Sequence, residues 1–555
     1  MDLTQPVDHP LSKSKFAAFN SGLVQAATYR RDKAAFEATR PESVRIDIGW
    51  GAEWMEHRRA AARRIDGVIA HDFTELDEIG AFLNEMGVRP YWSYCYVPAP
   101  YRPPGGDWRD MDEDPTGWVD TVRAYVEGAR TRGVVVGYHE VYNEPDLRDE
   151  RTGDAVFYGG DLADYLNLYR AAAPAIRRSD PAAPIGGPAL ASVLHNEHWI
   201  PAFLDTVMAE GLPLDFFSFH HYGTHSVRVA VDTVLAQLDA RPQLADVEVH
   251  LNEYNSYPVD YPRGGLQDGH HLAAAMLADF HRFLATPGVT RVHWAQFLDS
   301  GHGNYSGMVD IDGARKPVLS AYEFYQDLPT DRRSLVVEGP PELGGFAAAE
   351  PGRAAVLLWN RAPRALRVTG DLTGWPGSDT DAVLRRIDAD HDGTGRESLD
   401  HADRWTLDLP QGGVALIELG RAGAPPRPAG TVRRVRYRYP HRRAGAWADF
   451  EEATTTFRLG TAADPHAVPS ITAELTGCGS SVTVESSVGG ELGPDAELVL
   501  RLAGPAGSTE IRPDPMRQES TVVDLAAVGG GPNVTVGVSL HGAAPHAFAT
   551  VRLSA

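Results

Sequence analysis

The sequence predicts an α/β fold in which a (β/α)8 TIM barrel is followed by two all-β sandwich domains. From about Phe16 to Leu328, short apolar runs alternate with amphipathic helical stretches, a pattern typical of βα units on a parallel sheet. Eight such units over roughly 300 residues match the size of a TIM barrel. After Pro329 the helical periodicity is lost, and short runs between Gly, Pro and Asp turns indicate β-sandwiches.

The eight predicted barrel strands are apolar runs rich in β-branched and aromatic residues. They lie at Phe16–Leu23, Ser43–Ile48, Val88–Tyr94, Val134–Tyr142, Pro184–Pro188, Leu214–His220, Val247–Glu253 and Val289–Phe297. Helices are predicted between them at Phe73–Met86, Thr116–Thr131, Leu162–Ser179, Trp199–Ala209 and Gly269–Ala285. A doubly wound open sheet is the alternative, and it is disfavoured because no glycine-rich phosphate turn follows the first strand.

The predicted domain boundaries follow these changes of pattern. Residues 1–330 form the predicted barrel, 331–421 a first β-sandwich and 431–555 a second, joined by a linker at 422–430 that is rich in Ala, Pro, Gly and Arg. Within the first sandwich, Asp388–Gly393 imitates the start of a calcium loop. Its twelfth position is Leu399 rather than glutamate, so a hairpin turn is predicted there instead of a calcium site.

The acidic composition limits the classes of partner. The chain has 555 residues, of which 52 are basic and 75 acidic, giving a formal net charge of −23. Nucleic acids and anionic membranes both need a positive surface, so neither is an expected partner. No run approaches the roughly 18 apolar residues of a membrane span. A neutral carbohydrate suits such a chain better, and the composition is compatible with a homo-oligomer.

Cysteine use and the N-terminus bear on the compartment. The two cysteines, Cys95 and Cys478, lie in different predicted domains, so no disulfide framework is expected and a reducing compartment is compatible with the sequence. The segment Met1–Pro6 has neither the basic region nor the apolar core of a secretion signal. A cytoplasmic location is therefore expected, or a secreted one if a leader was removed.

Two glutamates at strand ends are the predicted catalytic residues. Glu144 follows the fourth predicted strand in Asn143-Glu144-Pro145, and Glu253 ends the seventh. The carboxyl ends of barrel strands meet at one mouth, so the two side chains are predicted to face each other there. Two facing carboxyl groups are the machinery of retaining glycoside hydrolysis, with Glu144 as acid/base and Glu253 as nucleophile. A solvated turn and a surface ion pair are the structural alternatives.

The sixth predicted strand ends in Ser218-Phe219-His220-His221-Tyr222, whose alternation points Ser218, His220 and Tyr222 to one side. Tyr222 is predicted to hydrogen-bond the nucleophile, while His220 and the Asn143 amide are predicted to bind sugar hydroxyls. Histidine pairs are often structural or metal-binding. A metal is not expected here, because no third ligand follows at the spacing of a zinc site.

Two further strand ends supply candidate binding residues. Arg45 and Asp47 end the second predicted strand, and Arg45 is predicted to lie beneath Glu253 and to keep it ionised, since a neighbouring cation lowers a carboxyl pKa. Trp294 on the eighth strand is predicted to offer a flat face to a sugar ring. An ordinary ion pair and core packing are the respective alternatives, and Trp50, Trp92 and Tyr94 are weaker aromatic candidates.

Together these sequence motifs resemble those of family 39 of the glycoside hydrolases. This family consists of retaining (β/α)8 enzymes and includes β-xylosidases and α-L-iduronidase. The resemblance covers about residues 16–420. Asn143-Glu144-Pro145 is similar to the acid/base string of the family, Glu253 to its nucleophile, and Ser218–Tyr222 to its Ser-x-His-x-Tyr segment. Residues 308–322 are similar to the hairpin and helix that follow its eighth strand. The resemblance implies an enzyme that needs no cofactor.

The sequence departs from the family pattern at two places that would line the subsite of the released sugar. Asp47 stands where the pattern has histidine, and Tyr94–Arg102 differs from the β-xylosidases. Asp47 is therefore predicted to bind a hydroxyl that a xylosidase never meets, or to suit an arabinoside or a galactoside.

The predicted function is a β-xylosidase-like retaining exo-glycosidase that acts on plant or microbial oligosaccharides. A non-catalytic carbohydrate-binding or scaffold protein and an endo-acting glycosidase are the alternatives. A lyase or isomerase on the same barrel would normally need a metal cluster or a lysine at a strand end, and the sequence shows neither.

Overall fold

The computed structural model describes residues 2–7, 10–20, 26–51, 62–257, 266–286, 288–299, 306–350, 352–374, 381–401, 403–420, 431–438, 447–451, 455–461, 468–489, 496–513, 519–529, 533–543 and 547–554. The chain divides into two compact units. The barrel unit comprises Ala17–Asp260 and Val289–Ala314; the sandwich unit comprises Met1–Phe16, Tyr261–Gly288 and Arg315–Ala555. The predicted linker at 422–430 and the end of the first predicted strand, residues 21–23, lie outside the described residues.

Helices and strands are numbered in chain order. Up to residue 327 they are β1 (Asp2–Pro6), β2 (Phe16–Asn20), α1 (Ala26–Arg31), α2 (Lys33–Ala38), β3 (Ser43–Asp47), β4 (Ala62–Ile65), β5 (Val68–His71), α3 (Thr74–Met86), β6 (Arg89–Tyr94), α4 (Thr116–Thr131), β7 (Tyr138–Val141), α5 (Leu162–Ser179), β8 (Ile185–Leu190), α6 (Trp199–Glu210), β9 (Phe216–Tyr222), α7 (Val227–Asp239), β10 (Glu248–Asn255), α8 (His270–Leu284), β11 (Arg291–Ala295) and α9 (Pro317–Asp327).

Eight strands close the predicted barrel in the order β2, β3, β6, β7, β8, β9, β10 and β11. Neighbouring strands run parallel, as the βα pattern predicted. All eight predicted strands and all five predicted helices are confirmed, and α4 and α5 have the predicted ends.

Helix α7 was not predicted. Its first residues, Val227-Arg228-Val229-Ala230-Val231, are rich in β-branched side chains that favour strands. Its buried residues nevertheless follow helical spacing, and packing of this apolar face outweighs the local preference: Val227, Ala230, Val231, Val234, Leu235 and Leu238.

Helix α5 shows how the outer layer positions the functional end of the barrel. Asp161 begins it with a capping box, in which its side chain accepts from two backbone amides and Asp164 reaches back to the Asp161 amide. Its buried face includes Tyr165, whose hydroxyl donates to the Val141 carbonyl at 2.9 Å. Because Val141 is the last residue of β7, this helix fixes the start of the loop that carries Glu144.

The remaining strands belong to the sandwich unit. They are β12 (Arg332–Ser334), β13 (Leu343–Glu350), β14 (Arg353–Asn360), β15 (Leu366–Asp371), β16 (Ala382–Ile387), β17 (Glu397–Ser398), β18 (Arg404–Leu409), β19 (Val414–Gly420), β20 (Thr431–Arg438), β21 (Trp447–Glu451), β22 (Thr456–Gly460), β23 (Ser470–Thr476), β24 (Ser481–Gly489), β25 (Glu497–Gly504), β26 (Gly507–Ile511), β27 (Glu519–Asp524), β28 (Asn533–His541) and β29 (Phe548–Ser554).

The first part of the sandwich unit is a seven-stranded sheet, in the order β1-β12-β13-β14-β19-β16-β17, and a two-stranded sheet of β15 and β18. Their facing apolar side chains form one core that includes Val356, Leu384 and Ile417. The hairpin predicted in place of a calcium loop is confirmed: β16 and β17 pair antiparallel around it. In that turn the Asp388 carboxylate accepts from the Asp390 amide and contacts His391 Nδ1.

The last part of the sandwich unit consists of two five-stranded sheets, β20-β23-β28-β25-β26 and β21-β22-β29-β24-β27. Buried and partly buried residues alternate along β23, β28 and β29, as expected for strands with one face on a core. The predicted boundaries near residues 330 and 421 stay predictions, and helices α8 and α9 belong to the sandwich unit. None of the described helices is both long and apolar enough to cross a bilayer.

Candidate active site

Glu144 lies in a tight turn that directly follows β7. Tyr142 and Glu144 have φ values of 72° and 45°, in the left-handed region that side chains disfavour. Such backbone costs about 1–3 kcal/mol per residue and persists only where neighbours hold it. Here the Glu144 amide donates to the Ala189 carbonyl at 3.0 Å, and Ser93 Oγ donates to the Tyr142 carbonyl at 3.2 Å. The turn is therefore fixed from β6 and β8.

Glu253 reaches the interior of the barrel through a β-bulge. Strand β10 loses register with β9 between Leu251 and Glu253, so two consecutive side chains point inward. Asn252 Nδ2 donates to Glu140 Oε1 at 2.6 Å, and Glu253 Oε1 lies 2.8 Å from Arg45 Nη1. Without the bulge, alternation would turn Glu253 away from the site.

The two predicted catalytic glutamates meet at this site. Glu144 is 8% exposed and Glu253 is 6% exposed, and carboxylate oxygens of the two lie within 4.8 Å of each other. His220 lies between them, with Nδ1 2.7 Å from Glu144 Oε1 and 3.6 Å from Glu253 Oε2. The pair is thus buried, convergent and joined by one imidazole.

Arg45 lies fully buried beneath the pair. Its Nε donates to Glu140 Oε2 and its Nη1 to Glu253 Oε1, both at 2.8 Å, while Nη2 donates to Asn143 Oδ1 at 2.8 Å. One guanidinium on β3 therefore holds side chains from β7, from the turn after it and from β10. The predicted position of Arg45, next to Glu253, is the one that the structure shows.

The other predicted polar residues lie at the same mouth. Tyr222 Oη donates to Glu253 Oε2 at 2.7 Å, the contact that was predicted. Asn143 Nδ2 donates to Tyr96 Oη at 3.1 Å. His220 Nδ1 forms a hydrogen bond with Glu144 Oε1. The buried Nε2 of His220 has no hydrogen-bond partner among the described residues. Binding of sugar hydroxyls by Asn143 and His220 stays a prediction.

Asp47 lies in the same cluster and is 3% exposed. Its Oδ1 is 3.2 Å from Arg45 Nη1 but makes no hydrogen bond with any described residue. Ser93 provides a hydrogen bond to the carboxyl group. An acceptor that is buried at the mouth without a donor is suited to a substrate hydroxyl.

The aromatic candidates differ in their surroundings. Trp294 is 1% exposed and packs edge-on against Tyr254, with ring centroids 6.1 Å apart. Tyr94 bonds His139 Nδ1 at 2.8 Å and packs against Trp50, so both contribute to the core. Contact of Trp294 with a sugar ring stays a prediction.

Sequence reasoning missed four residues of the site: Ser93, Glu140, Asp146 and Asn252. One signal was available, because a glutamate within a buried strand is rare unless it is paired, and Glu140 lies in the middle of β7. Glu140 also accepts from Tyr91 Oη at 3.2 Å, which joins it to a tyrosine on β6. The pairing of Glu140 with Arg45 was not predictable from their spacing in the sequence.

Among the described residues, Glu144, His220 and Glu253 form a group of three potential metal-binding side chains. The reasoning from spacing overlooked it, because the three side chains come from different strands. The arrangement fits a hydrogen bond better than an ion, since His220 Nδ1 and Glu144 Oε1 are 2.7 Å apart. Ligands of a tetrahedral zinc at about 2.0–2.2 Å from the metal would lie farther from each other.

Burial and charge set the proton order of the carboxyl pair. The pKa of Glu144 rises from its ordinary value to about 8, mainly through burial and next through the charge of Asp146, with Arg45 opposing. The pKa of Glu253 rises to about 7, mainly through burial, against the pull of Arg45. Arg45 and Tyr222 hydrogen-bond the oxygens of Glu253 and stabilise its charge, so Glu253 is the member of the pair that is suited to ionise.

Two neighbours also have shifted pKa values. Burial raises the pKa of Asp47 to about 6 and lowers that of His220 to about 4. His220 is therefore neutral near pH 7 and contributes a hydrogen bond rather than a charge. The site can keep one carboxyl group protonated and a second one ionised a few ångströms away, which is the arrangement of an acid and a nucleophile.

A family model described as glycosyl hydrolases family 39 matches residues 24–263, which include both glutamates. A β-xylosidase of Caldicellulosiruptor saccharolyticus is 27% identical over 365 residues, covering 59% of this chain and 69% of that protein. A β-xylosidase of Geobacillus stearothermophilus is 27% identical over 342 residues, covering 53% and 63%. The chain thus matches about two thirds of the length of each.

The fold has solved relatives. The crystal structure of a family 39 glycoside hydrolase from Xanthomonas axonopodis pv. citri superposes with a TM-score of 0.62 and 20% sequence identity. The superposition covers 76% of this chain and 97% of that one. At this identity the likeness shows a shared fold.

Replacing Arg45 by methionine is expected to destabilise the barrel by about 3–5 kcal/mol, because Glu140 and Glu253 would remain as buried acids without their cation. Chemical denaturation followed by tryptophan fluorescence would measure the loss at pH 7. Arg170→Ala is the matched control, since its ion pair with Glu210 is partly exposed and should cost about 1 kcal/mol or less. Equal effects of the two substitutions would contradict this account of Arg45.

Replacing Glu144 by glutamine is expected to stabilise the fold in a pH-dependent way. A pKa of about 8 in the folded chain, above the ordinary value of 4.5, means that stability present below pH 4.5 is lost as the pH rises to about 8. Glutamine does not titrate, so the advantage of Glu144→Gln should be absent near pH 4 and roughly 1–3 kcal/mol at pH 8.

The measurement for this variant is the free energy of unfolding at several pH values. Glu150→Gln, at an exposed position, is the control and should follow the wild-type curve. Parallel curves for Glu144→Gln and the wild type would show that Glu144 carries no raised pKa.

Proposed function

Because the chain is a glycoside hydrolase that belongs to family 39, we propose that it cleaves its substrate by double displacement with retention of configuration. We further propose that it acts as a β-xylosidase-like exo-glycosidase on plant or microbial oligosaccharides. The retaining mechanism is proposed from the geometry of Glu144 and Glu253. The β-xylosidase-like activity is proposed from that geometry and from the names of the two relatives, which are both β-xylosidases.

The observation that carries the proposal is the separation of the two carboxyl groups. Oxygens of Glu144 and Glu253 lie within 4.8 Å. Retaining enzymes place their carboxyl groups about 5–5.5 Å apart, whereas inverting enzymes need about 6.5–9.5 Å to admit a water molecule. The shorter separation leaves no room for that water and supports direct attack by a carboxylate on the sugar.

In the first step the Glu253 carboxylate attacks the anomeric carbon and the glycosidic C–O bond breaks. Glu144 transfers its proton to the departing oxygen, so the leaving group departs as an alcohol. The surroundings fit these roles, because burial and the charge of Asp146 raise the pKa of Glu144, whereas the Arg45 cation favours the ionised form of Glu253. Arg45 and Tyr222 each hold one oxygen of Glu253 and aim the carboxylate.

In the second step water attacks the anomeric carbon and the ester bond to Glu253 breaks. Glu144, now a carboxylate, takes the proton from that water. Esterification removes the negative charge beside Glu144, and the loss of a neighbouring like charge favours the ionised form of Glu144, which is the form that acts as base in this step. Sugar release restores the protonated Glu144 and the ionised Glu253.

The sugar specificity is proposed to depend on Asp47. Its Oδ1 lies in the cluster around Arg45 without a hydrogen-bond donor among the described residues. A sugar hydroxyl in the subsite would satisfy this acceptor. We propose that the preferred glycone carries a hydroxyl at that position, as an arabinoside, a galactoside or a differently oriented xyloside would.

The test of the catalytic pair uses an activated aryl glycoside. Glu253→Ala should lower kcat by about 10⁴-fold or more, since no covalent intermediate can form. Added azide should restore part of the rate and give the product of inverted configuration, because the small anion fills the vacated space. If Glu253→Ala kept the wild-type kcat, Glu253 could not be the nucleophile and the proposal would fail.

Glu144→Ala provides the matched comparison in the same experiment. It should lower kcat/KM by about 10²–10⁴-fold on a glycoside with a poor leaving group, which needs the proton. On the activated glycoside the formation of the intermediate should be nearly unaffected. The opposite dependence on the leaving group would assign the two glutamates the other way round.

The role of Asp47 is tested with a panel of nitrophenyl glycosides. Asp47→Ala should lower kcat/KM for the best substrate by about 10–100-fold, the effect of losing one charged hydrogen bond, and should affect glycosides without the matching hydroxyl much less. Asp47→His is the comparison and should favour the xyloside. A uniform loss over the whole panel would mean that Asp47 does not read the sugar.

A further inference from the structure

Asp146 is a buried carboxylate that the proposed reaction does not use. It is 3% exposed. Its Oδ1 accepts from the Ala191 amide at 2.8 Å, and its Oδ2 accepts from the Ser192 amide at 3.3 Å and from Asn196 Nδ2 at 2.9 Å. All three neighbours are hydrogen-bond donors, so both carboxylate oxygens of Asp146 are used as acceptors. Among the described residues no lysine, arginine or histidine forms an ion pair with it.

This uncompensated charge is attached to the turn that carries the acid/base residue. Only Pro145 separates Asp146 from Glu144, and the Leu147 amide donates to the Glu144 carbonyl at 3.2 Å to close the turn. The Glu144 amide is held by Ala189, two residues before the Ala191 amide that holds Asp146. The segment after β8 therefore fixes both residues in one geometry.

We propose that Asp146 is a positioning residue whose buried charge keeps Glu144 protonated and whose hydrogen bonds tie the acid/base turn to residues 191–196. The inference rests on the proposed role of Glu144. It adds the group that makes this carboxyl an acid at the pH where Glu253 is ionised. The direction agrees with the raised pKa of Glu144, in which the Asp146 charge is second only to burial.

The other charged and titratable groups around Glu144 do not replace Asp146. They come from β3, the loop after β6, β9 and β10: Arg45, Asp47, Tyr96, His220, Tyr222 and Glu253. Arg45 acts in the opposite direction and is already paired with Glu140 and Glu253. His220 is neutral near pH 7. A substitution of Asp146 leaves all of these groups in the chain, so its contribution can be isolated.

The test is the pH profile of kcat/KM for Asp146→Asn on a phenyl glycoside of the sugar that the enzyme hydrolyses best. Its poor leaving group makes the rate depend on the protonated Glu144. The alkaline limb of the profile, which follows Glu144, should move to lower pH by about one unit when a neighbouring buried charge is removed. With a dinitrophenyl leaving group the rate should show little of this change.

Asn196→Ala is the matched control. It removes one hydrogen bond from Asp146 but leaves the charge, so the alkaline limb should stay in place even if the melting temperature falls. Equal displacement of the limb by both variants would show a merely structural role and overturn the proposal. A profile of folded Asp146→Asn that superposes on the wild type would also overturn it.

Two additions keep the test decisive. If Asp146→Asn does not fold, Asp146→Ser removes the same charge, leaves space for water and is read in the same way. Glu144→Gln, measured on the same phenyl glycoside, separates the two ideas: a wild-type rate for it would refute the proposed function itself. A collapse of its rate together with an unshifted Asp146→Asn profile would refute only the role of Asp146.

Discussion

The site is organised by one buried guanidinium among several buried carboxyl groups. Arg45 contacts Glu140, Glu253 and Asp47, while Glu144 and Asp146 lie on the adjoining turn. A single cation cannot neutralise all of these groups, and burial makes each unpaired charge costly. Burial therefore raises the pKa of Glu144, and among the described residues no lysine or arginine lies within hydrogen-bond distance of its carboxyl group. The raised pKa of Glu144 is thus a consequence of the unequal pairing of these carboxyl groups.

The barrel scaffold maintains this unequal pairing against its energetic cost. The left-handed backbone of Tyr142 and Glu144, the inward bulge at Asn252 and the cluster of like charges would each relax in a flexible loop. They persist because hydrogen bonds from β6, β8 and α5 hold the turn from several sides. This arrangement lowers the stability of the fold, and in return the carboxyl group of Glu144 is held in one position with a raised pKa.

Much of the architecture was predictable because it depends on local patterns. Apolar runs gave the eight strands and helical periodicity gave five helices, since the period of burial in each element is written directly in the residues. Helix α7 was missed because its valines favour a strand locally, and only the packing surface offered by the barrel selects the helix. Glu144, Glu253, Arg45 and Tyr222 were found because residues at the ends of parallel strands converge in any such barrel. Glu140 and Asp146 were not found, because their partners are distant in sequence.

The sequence alone therefore determined the fold class, the two acidic residues and the mouth where they meet, because periodicity and strand ends are local properties. Only the tertiary structure decided which way Glu253 points, since strict alternation along β10 would have turned it outward and the bulge relative to β9 reverses the phase. It likewise decided that Glu140 shares the guanidinium of Arg45 and that Asp146 forms no ion pair within the described part of the chain. Pairing between distant strands sets these contacts, and the electrostatic energy that assigns each proton depends on distances that no sequence spacing encodes.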